Sequence, residues 1–256
     1  TLNLAQNTQP TPGQPVKQAL HVPVRFGLVG PNGADLAYER AEGARIDGDV
    51  IHLTGANQTV TFHGVSAPPV PSLLRGFSAP VKLAIDLSSE EALFLLRTDA
   101  DPFNRWQAAQ MLASRALIAA TAAARIGAPL AFEPALADAL AAVADDEVLE
   151  PALRAQVLQL PGEADMAREI GHDVDPDAIA AARSGLRAAI AGRIGGTLAA
   201  IAGRMAHGGA YSPDAGAAGR RALANVAFDL LIASGDRNVI AGVVERFERA
   251  DNMTDR

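Results

Sequence analysis

The sequence predicts an α+β chain: an antiparallel β-sandwich followed by an all-α, irregular helical stack of superhelical, solenoid-like form. Three observations carry this. Alanine occurs 12 times in residues 1–100 and 42 times in residues 101–256, and alanine is the best helix former and a poor strand residue. The first part alternates apolar and polar residues with the period of two that a half-buried strand needs. The second is punctuated by acidic or serine residues directly before proline, a helix-start signal. The sandwich is placed at residues 1–98 and the helical part at 99–256.

In chain order, Thr1–Leu4 alternates and reads as a strand. The chain opens inside that pattern, on Thr1 and not on methionine, so it is expected to be a cut piece whose sandwich lacks its first strand. Val22, Val24, Phe26 and Leu28 share one strand face, Pro31-Asn32-Gly33 turns, and Asp35–Tyr38 returns. Val50–Thr54 and Gln58–Val65 flank Gly55-Ala56-Asn57, a hairpin-loop pattern. Val81, Leu83, Ile85 and Leu87 alternate again, and Ala92–Thr98 reads as a nearly continuous apolar strand. About seven short strands result, the pattern of an antiparallel sandwich. The proline-rich stretches 9–15 and 67–71 read as crossovers or edge protection, because proline cannot donate to a ladder.

Helices are predicted to start at Asp101-Pro102, Glu133-Pro134, Glu150-Pro151, Asp175-Pro176, Ser212-Pro213 and Asp236. The longest should run from Pro176 to about Met205 on a stripe of Ile179, Leu186, Ile190, Ile194, Leu198, Ile201 and Met205. Gly195-Gly196 weakens its middle, so a kink or close helix contact is expected there. Unequal spacing of the starts argues against a regular repeat array. Trp106, one turn after Phe103, is expected to be buried near residue 99. The last helix, about 236–250, carries Val239, Ile240, Val243, Val244 and Phe247, an apolar edge expected to favour self-association.

Charge and composition exclude several classes. Lys and Arg total 22 against 29 Asp and Glu, a net charge of −7, with no basic cluster of the kind nucleic acid or an anionic membrane requires. Neither partner is expected. No apolar run reaches the roughly 20 residues of a membrane helix. Cysteine is absent, which removes disulfides, thiolate ligands and a thiol nucleophile, and fits a reducing, cytoplasmic location.

A search for chemistry comes back empty. None of His21, His52, His63, His172 and His207 stands four residues from another, so His-Glu-x-x-His does not occur. His52 and His63 would sit on opposite faces of the hairpin pairing His52 with Val60, as solvated strand histidines. Asp173-Val174-Asp175-Pro176-Asp177 opens like a calcium loop, but Ala178 and Ser184 replace its sixth-position glycine and twelfth-position glutamate. Capping of the long helix by Asp175 explains it better. Gly27, Gly30 and Gly33 do not spell a dinucleotide fingerprint and read as turn glycines. Asp145-Asp146-Glu147 reads as a solvated helix end. No Gly-x-Ser-x-Gly occurs.

Three segments nevertheless look familiar: Phe77-Ser78-Ala79-Pro80-Val81-Lys82-Leu83, Asp101-Pro102-Phe103-Asn104-Arg105-Trp106-Gln107-Ala108-Ala109-Gln110, and Asn252-Met253-Thr254-Asp255. With the opening strand and proline-rich loop of residues 1–15, they resemble the later portion of the bacterial aminopeptidase N family, zinc peptidases of the gluzincin class. The resemblance implies a parent enzyme that removes N-terminal residues from peptides with one zinc ion. That ion is held by His-Glu-x-x-His and a distant glutamate, and a Gly-Ala-Met-Glu-Asn loop holds the free amine. Both motifs belong to an upstream thermolysin-like domain. This segment would supply the small β-sandwich and the first part of a helical domain arching over the active site, with the parent's catalytic domain as partner and no catalytic residue, metal ligand or cofactor of its own. Phe77, Ser78, Pro80, Asp101, Phe103, Asn104, Arg105, Trp106, Gln110, Asn252, Met253 and Thr254 are then structural positions of the family motif. The rival from a different class is a free-standing helical module that grips a peptide or protein partner.

Overall fold

The computed structural model describes residues 1–206, 211–250 and 252–254; His207 and Asp255 lie outside them. The chain forms two compact units, Thr1–Arg105 and Trp106–Arg256.

The first unit holds strands β1 (Leu2–Ala5), β2 (Val22–Val29), β3 (Arg40–Glu42), β4 (Arg45–Asp47), β5 (Val50–Leu53), β6 (Asn57–His63) and β7 (Val70–Leu73). They make two antiparallel sheets, ordered β1-β6-β3 and β4-β5-β2-β7. Val22, Val24, Phe26 and Leu28 point from one face of β2 into the core, as their alternation predicts, and meet Ile51, Leu53 and Val60. Phe62 packs its ring 5.2 Å from Phe26 and edge-on to Tyr38.

The expected 50–65 hairpin does not form. β5 pairs with β2 and β4, while β6 pairs with β1 and β3. His52 therefore lies opposite Pro23 and Arg45, not Val60, and His63 lies opposite Arg40. The reason is burial: Ile51 and Leu53 enter the core from one sheet and Val60 from the other. Residues 55–57 carry the chain across the gap. Gln6 holds that crossing, its Nε2 donating to the Gly55 carbonyl at 3.0 Å and its backbone N–H to that of Ala56 at 2.9 Å.

Three other strand expectations are corrected. Asp35–Tyr38 makes a single bridge, Val29 to Asp35, and the pairing falls instead to β3 and β4, short charged strands at sheet edges. Residues 81–87 keep their alternation, with Leu83 and Ile85 half-buried and Leu87 buried, but form no ladder. Ala92–Thr98 is helical, part of α1 (Ser89–Thr98). A reciprocal cap decides this: Ser88 Oγ accepts from the Glu91 N–H at 3.1 Å, and Glu91 accepts from the Ser88 N–H at 2.8 Å. Ala92, Leu95 and Leu96 then share one buried helical face.

Helix α2 (Pro102–Arg125) contains the division between the units. Then come α3 (Pro134–Asp145), α4 (Pro151–Leu158), α5 (Glu163–Ile170), α6 (Pro176–Ala206), α7 (Ala215–Ile232) and α8 (Arg237–Arg249). Asp175 caps α6 as expected, accepting from the Ala178 N–H at 3.0 Å. At α7 the cap is Asp214 and not Ser212, which binds the Asp214 carboxylate instead. Helix α5 is not anticipated by the acid–proline pattern, because Gly162 and Asp165 open it without a proline. Six of the seven α6 stripe residues are buried and Met205 half-buried. Ile194 breaks helical geometry at φ −122°, ψ 19°, so α6 kinks directly before Gly195-Gly196.

Candidate functional site: a buried ion network and a helical cavity

In the sandwich unit the polar chemistry gathers on Arg75. The chain leaves β7 through a one-turn 3-10 helix, Arg75–Phe77, in which Gly76 and Phe77 have positive φ, near 59° and 54°, as does Leu74 directly before it, near 59°. This tight path turns the Arg75 side chain inward. Its guanidinium makes a two-pronged bond to Asp35 at 2.5 and 2.8 Å, and reaches Asp99 at 3.0 Å and Ser72 Oγ at 2.8 Å. Burial lowers the affinity of Arg75 for its proton, but its bond to Asp35 and the charges of Asp99, Asp35 and Asp101 leave it raised. For Asp99, burial dominates and pushes the carboxyl above its usual range. Its Ser72 and Asp101 hydrogen bonds and the Arg75 charge pull the other way without prevailing. The ion pair alone would hold Asp99 low; complete burial of its side chain explains the opposite direction.

Several motif residues close around this network. Asn104 Nδ2 donates to Ser72 Oγ at 2.6 Å and to the Leu73 carbonyl at 3.0 Å. Asp101 caps α2 by accepting from the Asn104 N–H at 2.9 Å and also accepts from the Gly76 N–H at 2.8 Å. Arg105 donates to the Leu96 and Arg97 carbonyls, satisfying the end of α1. Phe77 and Phe103 pack their rings 5.4 Å apart. Ser78 bridges β2, donating to the Pro23 carbonyl and accepting from the Arg25 N–H, while Pro80 is exposed.

Trp106 and Gln110 belong to the other unit. Trp106 is half-buried, not the fully buried residue expected, because it lines a cavity of about 990 Å³. Arg183, Arg187, Asn225 and Asp229 line it too. Gln110 Nε2 donates to the Gln159 carbonyl at 2.8 Å, and Arg187 binds both the carboxylate and the carbonyl of Asp229 at 2.6 Å. Asn252 accepts from the Thr254 N–H, Asn225 donates to the Thr254 carbonyl at 2.8 Å, and Met253 is exposed. The twelve motif positions thus fall into three places rather than one site.

Sequence reasoning missed Ser72, Arg75, Asp99 and Gly27. Gly27 is not a turn glycine: it sits inside β2, where a Cβ would come within 2.1 Å of the Arg75 guanidinium. An isolated glycine within an alternating strand signals such a close approach. Among the described residues, no three or more histidine or carboxylate side chains converge as a metal centre requires. None of the described helices is long and apolar enough to cross a membrane.

Fold and site together define a β-sandwich followed by a helical stack, with a buried ion network centred on Arg75 in the first unit and a polar-lined cavity in the second. The chain belongs to the DUF3458 family: residues 89–256 match the domain of unknown function (DUF3458_C) described as ARM repeats, and residues 1–86 match the domain of unknown function (DUF3458) with an Ig-like fold. It is 42% identical to aminopeptidase N of Caulobacter vibrioides over 210 residues, 82% of this chain and 24% of the relative. Against aminopeptidase N of Escherichia coli it is 36% identical over 256 residues, all of this chain and 29% of the relative. The fold matches Legionella pneumophila aminopeptidase A, solved in complex with aspartic acid, with a TM-score of 0.74 and 23% identity over 91% of this chain and 27% of that one. These relatives bear out the resemblance to the bacterial aminopeptidase N family. The chain spans about a quarter of the length of the relatives it matches.

Proposed function

We propose that this chain is the non-catalytic C-terminal segment of a zinc-dependent aminopeptidase, which removes N-terminal residues from peptides in the cytoplasm. The observation that carries the reading is the 36% identity to an aminopeptidase N across all 256 residues, in a sequence without His-Glu-x-x-His. The catalytic zinc and the group that binds the substrate's amine would be supplied by residues outside this sequence. Within the parent, the sandwich, taken as residues 1–98, supports the catalytic domain, and the helices from residue 99 help to form a cap over the active site. Peptides are then met only through the parent, and neither nucleic acid nor membrane is a partner. The motif positions from Phe77 to Gln110 act as structural residues: they fix the 3-10 turn, the start of α2 and one wall of the helical cavity.

The direct test is the coding sequence on the N-terminal side of Thr1. The reading expects His-Glu-x-x-His there, followed by a further glutamate, and a purified gene product that contains one zinc ion. An upstream region lacking that motif overturns the proposal.

A further inference from the structure

The turn after β2 carries the one Asn-Gly pair of the chain, Asn32-Gly33, among eight asparagines. Its backbone is tied on both sides. Gly30 N–H donates to the Ala34 carbonyl and Gly33 N–H to the Gly30 carbonyl, both at 2.8 Å, and Leu36 N–H donates to the Leu28 carbonyl. Gly33 holds φ +80°, a conformation that suits glycine. Asn32 is exposed, and its Oδ1 accepts from the Ala34 N–H at 3.1 Å. This is an Asx-turn, in which the side-chain amide folds back over the peptide group that follows it. Two residues after Gly33, Asp35 makes its two-pronged bond to Arg75.

We infer that Asn32 is a self-modification site, at which the side-chain amide is converted to aspartate and isoaspartate through a succinimide. The Gly33 nitrogen gives up its proton to hydroxide and bonds to Asn32 Cγ; the Cγ–Nδ2 bond breaks and ammonia leaves. Water then opens the five-membered ring at either carbonyl. Attack at Cγ restores the original backbone as aspartate. Attack at the backbone carbonyl leaves the chain running through Cβ and Cγ, as isoaspartate. One water is consumed and one ammonia released, with no oxidant or reductant. Three features support this position. Gly33 has no Cβ to crowd the attacking nitrogen. The Ala34 N–H already donates to the oxygen on which negative charge develops as Cγ is attacked. The side chain is exposed, so hydroxide and water reach it. The Gly33–Gly30 hydrogen bond has to open first, a local event in a surface turn. The consequence reaches the ion network: isoaspartate lengthens the backbone by a methylene and sets a new carboxylate three residues before Asp35, which loosens the grip of Asp35 on Arg75. This inference is independent of the proposed function.

The test is ageing of the 256-residue chain in mildly alkaline buffer, followed by tryptic mapping and mass spectrometry. The fragment of residues 26–40 contains Asn32 and no other asparagine. Its amide should convert at least about 10-fold faster than that of any other asparagine in the chain. Isoaspartate should be among the products, which direct hydrolysis of the amide does not give. Urea unfolding supplies the second readout: the aged chain should unfold at lower urea than the fresh one. Asn32→Ser keeps an oxygen that can accept from the Ala34 N–H and has no amide to lose, so its midpoint should not move on ageing. Conversion at Asn32 no faster than elsewhere, aspartate as the sole product, or the same loss of stability in aged Asn32→Ser overturns the inference.

Discussion

The guanidinium of Arg75 lies flat against the backbone of Gly27, close enough that a methyl group there would sit 2.1–2.3 Å from three of its atoms. A strand glycine and an arginine 48 positions later are thus one feature: the missing side chain is the space in which the ion network forms. Gly27→Ala should push Arg75 off Asp35 and Asp99 and leave the Asp99 charge buried without its partner. Breaking a buried pair costs about 3–5 kcal/mol; the exposed flank of Asp35 places this case at the lower end, about 3 kcal/mol. Urea unfolding followed by circular dichroism reads the cost. An unchanged midpoint would show that the arginine finds another seat.

Asp99 gives a pH dependence whose sign follows from its environment. Its carboxyl is raised in the folded state, first by burial, so the folded chain holds that proton more tightly than the unfolded chain does. The contribution to stability is therefore full below the unfolded value, about 3.9, and is lost as pH rises through the folded value. Asp99→Asn removes this dependence. Its stability relative to wild type should increase with pH across that window and then level off, measured as urea midpoints from pH 3.5 upward in about half-unit steps. A relative stability that falls with pH would mean that the ion pair with Arg75, and not burial, governs Asp99.

Among the described residues Arg154 is the largest fully buried side chain, 2% exposed, and its Nε donates to the Ala144 carbonyl at 2.7 Å, in the last turn of α3. Burial, then the charge of Arg204, lowers its affinity for the proton. Its role is to satisfy a helix end inside the helical unit. Arg154→Ala opens a cavity and orphans that carbonyl, a loss of about 3 kcal/mol. Arg154→Met refills the volume and should recover about half of that. Thermal melting of both variants checks the order; an alanine variant as stable as the methionine one contradicts it.

Ile240, Val244 and Phe247 recur at helical spacing on α8 and are 39%, 50% and 49% exposed. The 256-residue chain should therefore associate as its concentration rises, seen as an increasing weight-average mass in sedimentation equilibrium. Val244→Lys should shift that dependence to higher concentration. A single mass across the whole range, unaffected by the lysine, rules out this edge as the cause.

Much of this architecture is legible in the residues, and the failures share a cause. The alternation of Val22, Val24, Phe26 and Leu28 and the Asp175-Pro176 start are local signals, and both hold. Ala92–Thr98 misleads because an apolar run alone does not separate strand from buried helix; the Ser88–Glu91 cap does, and it lies just outside the run. The supposed hairpin misleads because a three-residue loop can turn within a sheet or cross between sheets, and only the long-range partners of β5 and β6 decide. In the site, Asp101 and Asn104 are visible as a helix start, yet Arg75 is not. Its partners Asp35, Ser72 and Asp99 converge only after the sandwich closes.

The central claim is that this chain is the accessory part of an aminopeptidase. It is tested most directly by the hydrolysis of an alanyl anilide, measured side by side for the 256-residue chain and for the whole gene product that contains it. The account predicts no turnover by the chain, and turnover by the gene product that is lost on chelation and restored by zinc. Hydrolysis by the chain itself, or a zinc-loaded gene product with none, would contradict it.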